Sequence, residues 1–523
     1  MEMAIIFSVT TPEREGLVPA VSGDTLARAL FRAGFFVGVP LCAGLGRCGR
    51  CRVRFLRDAP LPLPAEYRRL SDEAVTAGWR LACLHPARGG EALALADIGP
   101  APAYDRQVVS RAVAVAGPVG LAVDCGTTGL AWRVVSLTDG MVAAEGRGVN
   151  PQLGAGTEVI SRLAFALEPG GGAYLRRLII DELFRLAALA GPQLAALCVA
   201  GNPAMVSILC DKPLTGLARA PYGLAWRAGE TVDLGGGLPP AYVPPLFGPF
   251  VGADIAAGLA VLTRQDPAYP FMLVDLGTNA EMVLALGPDR FLAASAPLGP
   301  ALEGVGLSQG AMAGPGVVVA FDLTPGGLVP VFFDDGPVPA APRGIAGPGY
   351  LSLAARLREQ GVLDVDGRFA TTPAATPLGR RLAAGIGSQY GEPVFETAGC
   401  LLPASDVEEL LKVKAACNLA FSTLLAAGGL TTAHLAAVHL AGAFGTAVSP
   451  GDLETLGFFP PGLAGRTHVA GNLALEGAAL FLTDPASREQ VAALAAKTDV
   501  VPLAAADDAG YAFIQRMVFS YVP

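Results

Sequence analysis

Four cysteines in the first hundred residues stand at a spacing that gathers soft ligands: Cys42, five residues, Cys48, two residues, Cys51, and then Cys83. Thiolates hold iron and zinc, so the chemistry on offer is metal ligation, structural or redox. Between the first three lie only Ala43, Gly44, Leu45, Gly46, Arg47, Gly49 and Arg50. Glycines let backbone N–H groups turn inward and hydrogen-bond sulfide and thiolate, which stabilises negative charge on a cluster; a bulky loop has no room to wrap so closely. A structural zinc site usually pairs two short Cys knuckles, whereas here one knuckle is followed by a distant fourth cysteine. Zinc and four unligated thiols are the rival readings. His85 lies two residues past Cys83, but a Rieske centre needs two histidines, so His85 reads as a packing or surface residue.

A second set of residues speaks of phosphate. Leu121-Ala-Val-Asp124-Cys-Gly126-Thr127-Thr128 and Leu273-Val-Asp275-Leu-Gly277-Thr278-Asn279 each follow a short apolar strand. Each is followed by further β character, at Leu130–Leu137 and Met141–Glu145 after the first and at Glu281–Leu286 and Phe291–Ala294 after the second. The duplication of a three-strand start with an Asp-x-Gly-Thr turn is the feature to explain. Glycine permits the tight turn and brings N–H groups to a phosphate, threonine hydroxyls add donors, and an Asp at the strand end holds Mg²⁺ through water. Two such hairpins facing each other clamp a triphosphate. A third element, Val438-His-Leu-Ala-Gly442-Ala443-Phe444-Gly445, runs an apolar strand into a glycine-rich turn. Asp124 and Asp275 are the candidate magnesium residues, and Glu281, Glu303 and Glu158 are weaker candidates for positioning water.

These residues need elements to hold them. At roughly 100–200 residues per domain, 523 residues predict three or four domains. In the first, Ala4–Val9 and Gly16–Val21 read as a hairpin, Asp24–Ala33 as a helix capped by Asp24 or Ser22, Cys51–Leu56 as a strand, and Ser71 opens a helix ending near Arg80. Residues 89–118 read as a Pro- and Gly-flanked connector in which Val108–Ala116 has strand character. The boundaries follow: 1–90 for the cysteine domain, 91–117 for the linker, 118–265 for a first lobe, and 266–523 for a second lobe with an insertion at about 311–403.

Composition narrows the function further. A net charge of −9 with only 16% charged residues argues against nucleic acid, which requires a basic surface. The most apolar runs, Ala415–Leu430 and Val251–Leu262, fall short of the roughly 18–20 residues of a span, so no membrane partner is expected. MEMAIIFSVTTPERE carries no basic n-region or long apolar stretch, and a cytoplasmic location is expected. Nine cysteines are an odd number for a disulfide framework, and Cys125, Cys198 and Cys210 have the apolar neighbours of packing residues.

The first segment resembles the plant and vertebrate [2Fe–2S] ferredoxins, its five-residue gap being nearer the vertebrate spacing. The two hairpins and the glycine-rich turn resemble the ASKHA superfamily of acetate and sugar kinases, Hsp70 and actin. That resemblance assigns Gly126, Thr127, Thr128, Gly277, Thr278 and Asn279 to ATP phosphates and Gly442, Ala443 and Gly445 to adenosine. A ferredoxin domain ahead of such a unit resembles the reductive activators of corrinoid proteins over nearly the whole chain. Further stretches carry the likeness: Asn150-Pro-Gln with Ile160-Ser-Arg162, Gly201-Asn202, Phe250-Val-Gly252-Ala-Asp254-Ile, Gly299-Pro-Ala-Leu-Glu303-Gly304 and Val469-Ala-Gly471-Asn472.

The implied fold is multidomain α/β: a β-grasp [2Fe–2S] ferredoxin-like domain, a linker, and a duplicated ribonuclease-H-like ATPase unit. The implied cofactors are the [2Fe–2S] cluster, ATP and Mg²⁺. The implied function is return of a corrinoid methyl-carrier protein from Co(II) to Co(I) by one-electron transfer, with an upstream low-potential electron donor and a homodimeric assembly. Pro203-Ala204 and Pro348 depart from the expected pattern and remove donors from the cleft turns. The alternatives are an ATP-independent electron carrier with a vestigial cleft, and a redox-sensing scaffold.

Overall fold

A computed structural model describes residues 5–13, 15–95, 107–109, 115–333, 339, 341–370, 375–503 and 509–523, without the side chains of 107–109, Pro300 and Glu303. Three main sheets organise the chain. The first contains β1 (Ile5–Thr10), β2 (Glu15–Ala20), β3 (Arg52–Phe55), β4 (Trp79–Leu81) and β5 (Ala92–Leu95) in the order β2-β1-β5-β3-β4. Its central pair β1/β5 is parallel and its other pairs antiparallel, which is the β-grasp arrangement. The helix Leu26–Arg32 lays Leu26, Leu30 and Phe31 against this sheet.

Two expected helix limits shift here. The first helix is capped by Thr25, whose hydroxyl accepts the Arg28 N–H at 3.3 Å; Asp24 instead accepts from Val21 N–H and faces Arg32. The Ser71 helix spans only Asp72–Thr76, because Gly78 turns at φ +88° and Trp79–Leu81 pairs with β3.

The first lobe is a seven-stranded sheet of β6 (Gln107–Val109), β7 (Val119–Cys125), β8 (Gly129–Ser136), β9 (Val142–Val149), β10 (Leu194–Gly201), β11 (Glu230–Val232) and β12 (Ala241–Val243), ordered β11-β12-β10-β7-β8-β9-β6. Residues 107–109 of the connector pair with β9; residues 110–114 of the expected strand Val108–Ala116 lie outside the described residues. The second lobe adds β13 (Phe271–Leu276), β14 (Asn279–Gly287) and β15 (Arg290–Pro297). The insertion then supplies β16 (Val318–Thr324) paired with β17 (Gly327–Phe332), and β18 (Ile386–Gln389), β19 (Glu392–Thr397) and β20 (Cys400–Pro403) as a separate sheet. β21 (Ala437–Ala441), β22 (Thr467–Gly471) and β23 (Thr498–Val500) complete a sheet ordered β22-β21-β13-β14-β15-β23.

The duplication is structural. β12-β10-β7-β8-β9 and β22-β21-β13-β14-β15 have the same order, with the first three strands parallel and the last three antiparallel in each. Continuous apolar strands such as Phe271–Leu276 suit sheets covered on both faces. The helices Ala253–Arg264 and Leu473–Thr483 pack on each other, and their buried faces join Ala122, Cys198 and Ala200 of one sheet to Phe271, Leu273 and Val283 of the other in a shared core. Among the described residues one helix, Ala404–Ala427, is long and apolar enough to cross a membrane, longer than the expected run Ala415–Leu430; 72% of its apolar window is buried, against β14 and β15.

The cysteine domain docks on the first lobe. Phe31 meets Phe165 and Tyr174 edge-on at 5.4 and 5.2 Å, Tyr174 donates its hydroxyl to Phe31 O at 2.6 Å, and Glu168 pairs with Arg28 and Arg32. Gly154 is required at this seam, since a Cβ there meets Phe31 and the Phe36 carbonyl at 2.3–2.4 Å.

Candidate functional site

The cysteine loop is wound by left-handed residues. Gly44, Gly46 and Gly49 have φ of +96°, +65° and +65°, and Cβ atoms at the last two would press on Leu84 and Arg69 at 3.2 Å. This winding turns Cys42, Cys48 and Cys51 toward one another, and the pairing of β4 with β3 brings Cys83 to them from beyond β4. Hydrogen bonds from the Cys48 and Cys83 thiols draw Cys42 down to about 2, helped by the Arg47 N–H at 3.3 Å. A hydrogen bond from Cys83 likewise lowers Cys51. The same contacts, with burial, push Cys48 and Cys83 up. Four thiols this close give up all their protons only to a metal centre, so the donor set fits an iron–sulfur cofactor. Among the described residues no group of three or more His, Cys, Asp or Glu is arranged to hold a metal ion. His85 is a buried packing residue, its Nε2 3.1 Å from Glu66 Oε1. Burial pushes Cys125, Cys198, Cys210, Cys400 and Cys417 up, as for inert packing thiols.

A cavity of about 590 Å³ opens between the two lobes. Asp124 lines it from the end of β7 and Gly126, Thr127 and Thr128 from the turn that follows; Asp275 lines it from the end of β13, Gly277 and Thr278 from the next turn, and Asn279 from the start of β14. The two hairpins face each other: Thr128 Oγ1 lies 3.4 Å from Thr278 Oγ1. Gly126 is sterically required, since a Cβ there meets the Gly129 carbonyl at 2.8 Å, whereas a Cβ on Gly277 makes only ordinary contact. Gly442 and Ala443 also line the cavity. Gly442 has φ +86°, and a Cβ would fall 2.3 Å from Asp275 Oδ1. Gly445 does not line the cavity as expected; it is buried against Leu440, where a glycine lets the turn settle on β21.

Four carboxyl groups crowd the floor. Enclosure by protein raises Asp124 to about 6, Asp254 to about 7 and Asp275 to about 8, and places Glu281 well above the carboxylate range. Mutual repulsion adds to each of the last three, while the Asn472 hydrogen bond opposes the rise at Asp124. Such a set resists carrying its full negative charge without a counter-charge in the cavity. Glu158 stands exposed at the start of a helix away from the cavity, and the Glu303 side chain lies outside the described residues.

Sequence reasoning missed Asp254 as a site residue and gave no role to two asparagines. Asn202 and Asn472 each cap a helix through Oδ1, to Met205 N–H and Leu475 N–H, which frees Nδ2 for the cleft. Asn202 then donates to Thr127 Oγ1 at 2.7 Å and Asn472 to Asp124 Oδ2 at 2.8 Å. The signal was the repeated Gly-Asn at a strand end, Gly201-Asn202 and Gly471-Asn472. Pro203 and Pro348 occupy first turns of helices, where a missing N–H disturbs no helical bond; Pro348 lines the cavity and leaves that turn one donor fewer.

A β-grasp domain with clustered thiols and a duplicated two-lobed unit with a phosphate cleft define a redox protein joined to an ASKHA-type fold. Two family models match accordingly, the RACo middle region over residues 119–265 and the C-terminal domain of RACo, the ASKHA domain, over residues 270–521. The chain belongs to this family of reductive activators of corrinoid proteins. It is 27% identical over 388 residues to the corrinoid activation enzyme RamQ of Eubacterium limosum, covering 69% of this chain and 64% of that protein. It is 27% identical over 417 residues to the [Co(II) methylated amine-specific corrinoid protein] reductase of Methanosarcina barkeri, covering 72% of each. The solved structure of a reductive activator for corrinoid,iron-sulfur protein superposes with a TM-score of 0.67 at 21% identity over 98% of both chains. The chain spans just under two thirds of the first of these relatives.

Proposed function

We propose that this chain is an ATP-dependent reductive activator that returns a corrinoid methyl-carrier protein from Co(II) to Co(I). The reading rests on one observation above the others: a single chain joins a four-thiol loop to a cleft with two opposed phosphate hairpins. The names of its relatives, which act on corrinoid proteins, support the substrate class.

Cys42, Cys48, Cys51 and Cys83 hold a [2Fe–2S] cluster, which when bound supplies a one-electron relay. Thr128 and Thr278 grip the ATP phosphates, Gly442 and Ala443 the adenosine, and Asp124, Asp254, Asp275 and Glu281 position Mg²⁺ through water. Ala43, Gly44, Leu45 and Arg47 are exposed around the partly exposed Cys48, so the partner approaches the loop along this edge. Co(II) takes up the electron and becomes Co(I), and a low-potential donor outside the chain replaces it. Nucleotide in the cleft changes the grip on the corrinoid partner, favouring a state whose cobalt has lost an axial ligand; without differential affinity for two partner states it has no such effect. We assign the protein to the cytoplasm and to a homodimer.

Anaerobic spectroscopy of a cob(II)alamin protein mixed with the reduced enzyme tests this. Co(I) is expected to form with MgATP and not without it. Equal rates in both conditions identify an ATP-independent carrier, and no turnover with any Co(II) carrier identifies a scaffold.

A further inference from the structure

The cysteine loop is fastened to both lobes, by different ends. On its first side Gly38 and Leu41 donate N–H groups to the Pro151 and Leu153 carbonyls at 3.2 and 3.4 Å, one residue short of Cys42. That segment begins at Asn150, whose Nδ2 donates to the Gly126 carbonyl of the first phosphate hairpin at 2.8 Å. On its second side Arg50, between Cys48 and Cys51, reaches the other lobe: its Nη2 donates to the Gly304 carbonyl at 3.1 Å and the Gly310 carbonyl at 3.3 Å.

The segment that Arg50 holds is shaped by the protein rather than by solvent. Ser308 donates N–H and hydroxyl to Asp406, Gln309 donates its N–H to the Tyr350 hydroxyl, and Ala311 and Gln309 exchange backbone bonds with Ile345. Gly304 and Gly310 are in such close contact that a Cβ on either meets backbone at 2.4–2.6 Å. The next residues, Ala311 and Met312, line the nucleotide cavity. A change in the cavity wall at Ala311 is therefore one residue from the carbonyl that Arg50 holds.

We propose that Arg50 is a positioning residue that carries nucleotide occupancy of the cleft to the cluster loop through the 304–310 segment. Because Leu41 is anchored to the first lobe and Arg50 to the second, any change in lobe separation acts across the stretch between them, which holds Cys42 and Cys48. The inference rests on the iron–sulfur and nucleotide reading above. It gives the domain seam a role besides adhesion: the cluster loop is stretched or relaxed by what the cleft holds.

Hydrogen–deuterium exchange on the full chain, reconstituted anaerobically with iron and sulfide, tests it with and without Mg²⁺ and a non-hydrolysable ATP analogue. In the wild type the nucleotide is expected to slow exchange severalfold in both 43–50 and 304–313. In Arg50→Ala the response at 304–313 persists and the response at 43–50 is lost; Arg50→Lys, with one donor head in place of a fork, restores part of it. Asp406→Asn loosens the Ser308 anchor without touching the cysteine domain and is expected to weaken the response at 43–50, so the test survives a loss of cluster in Arg50→Ala. A full response at 43–50 in Arg50→Ala or Asp406→Asn overturns the proposal, as does a wild-type response confined to 304–313. Absence of analogue binding to the wild type by calorimetry overturns the nucleotide reading itself, and this proposal with it.

Discussion

The cysteine loop gathers its four thiols from residues 42–83, while the cleft gathers its lining from β7 at one end of the lobes to the helix Leu473–Thr483 at the other. Both sites concentrate groups that are negative when ionised, with Arg50 beside the thiols and Arg147 in the lining of the cleft. They differ in what holds the groups together. In the loop, left-handed glycines gather Cys42, Cys48 and Cys51, and the pairing of β3 with β4 brings Cys83 to them. In the cleft, nothing local brings Asp124 near Asp254 and Asp275; only the packing of two sheets through shared helices does. The loop should therefore fail by losing its metal while the lobes stand, and the cleft by losing its geometry while the cluster stands.

Cys51→Ser gives the largest expected effect. Serine presents a hard, poorly ionised oxygen where the other three donors are thiolates, so iron content and visible absorbance should collapse. Nucleotide binding, read by calorimetry on the same preparation, should persist. Next is Gly442→Ala, which forces a Cβ onto Asp275 Oδ1 at φ +86°. A cost of about 1–3 kcal/mol is expected at this position, and nucleotide affinity should fall by about tenfold or more, with iron content unchanged. Loss of both properties in either variant breaks the contrast.

The loop was also the more legible site. Cys42, Cys48 and Cys51 and their glycines lie close in sequence, and the Asp-x-Gly-Thr hairpins are short motifs that carry their own turn. The duplication of a three-strand start was legible too, whereas the strand order of the lobes came only with the structure. What stayed hidden depends on tertiary choice. Asp24, Thr25 and Ser22 are all good caps, and the selection of Thr25 came from Asp24 being drawn to Val21 N–H and Arg32. The helix from Ser71 ends early because Trp79–Leu81 finds a strand partner. Gly445 sits in the same turn as Gly442 yet faces inward, a matter of helical phase within one turn. Asp254 and Arg50 act across distances in sequence that no local pattern encodes.

Acidity offers a sharper probe of the cleft than of the loop. Asp124, Asp254 and Asp275 sit at about 6, 7 and 8, above the value of about 4 for an unfolded chain. The folded state therefore keeps protons that the unfolded state has lost, and stability falls as pH rises from about 4 to about 8. With a chelator present, the melting temperature should decline across that window. Mg²⁺ with nucleotide should flatten the decline, since a cation replaces the protons. A melting temperature that rises across this range in chelator would show that these carboxyls are not crowded as described.

The smallest expected effect lies at the seam between the cysteine domain and the first lobe. Tyr174 donates its hydroxyl to the Phe31 carbonyl at 2.6 Å and packs its ring edge-on against Phe31. Tyr174→Phe keeps the ring and removes the bond, leaving a carbonyl near the end of the first helix without that donor. The cost should be about 0.5–1.5 kcal/mol, read as a lower melting temperature. Glu168 still pairs with Arg28 and Arg32, so the domain should stay docked and iron content should not change. If the seam only glues the domains, Tyr174→Phe lowers stability and nothing else. If it also transmits, the nucleotide response of the cysteine loop should shrink in Tyr174→Phe, though less than in Arg50→Ala, because Tyr174 braces the far side of the domain and Arg50 touches the loop itself.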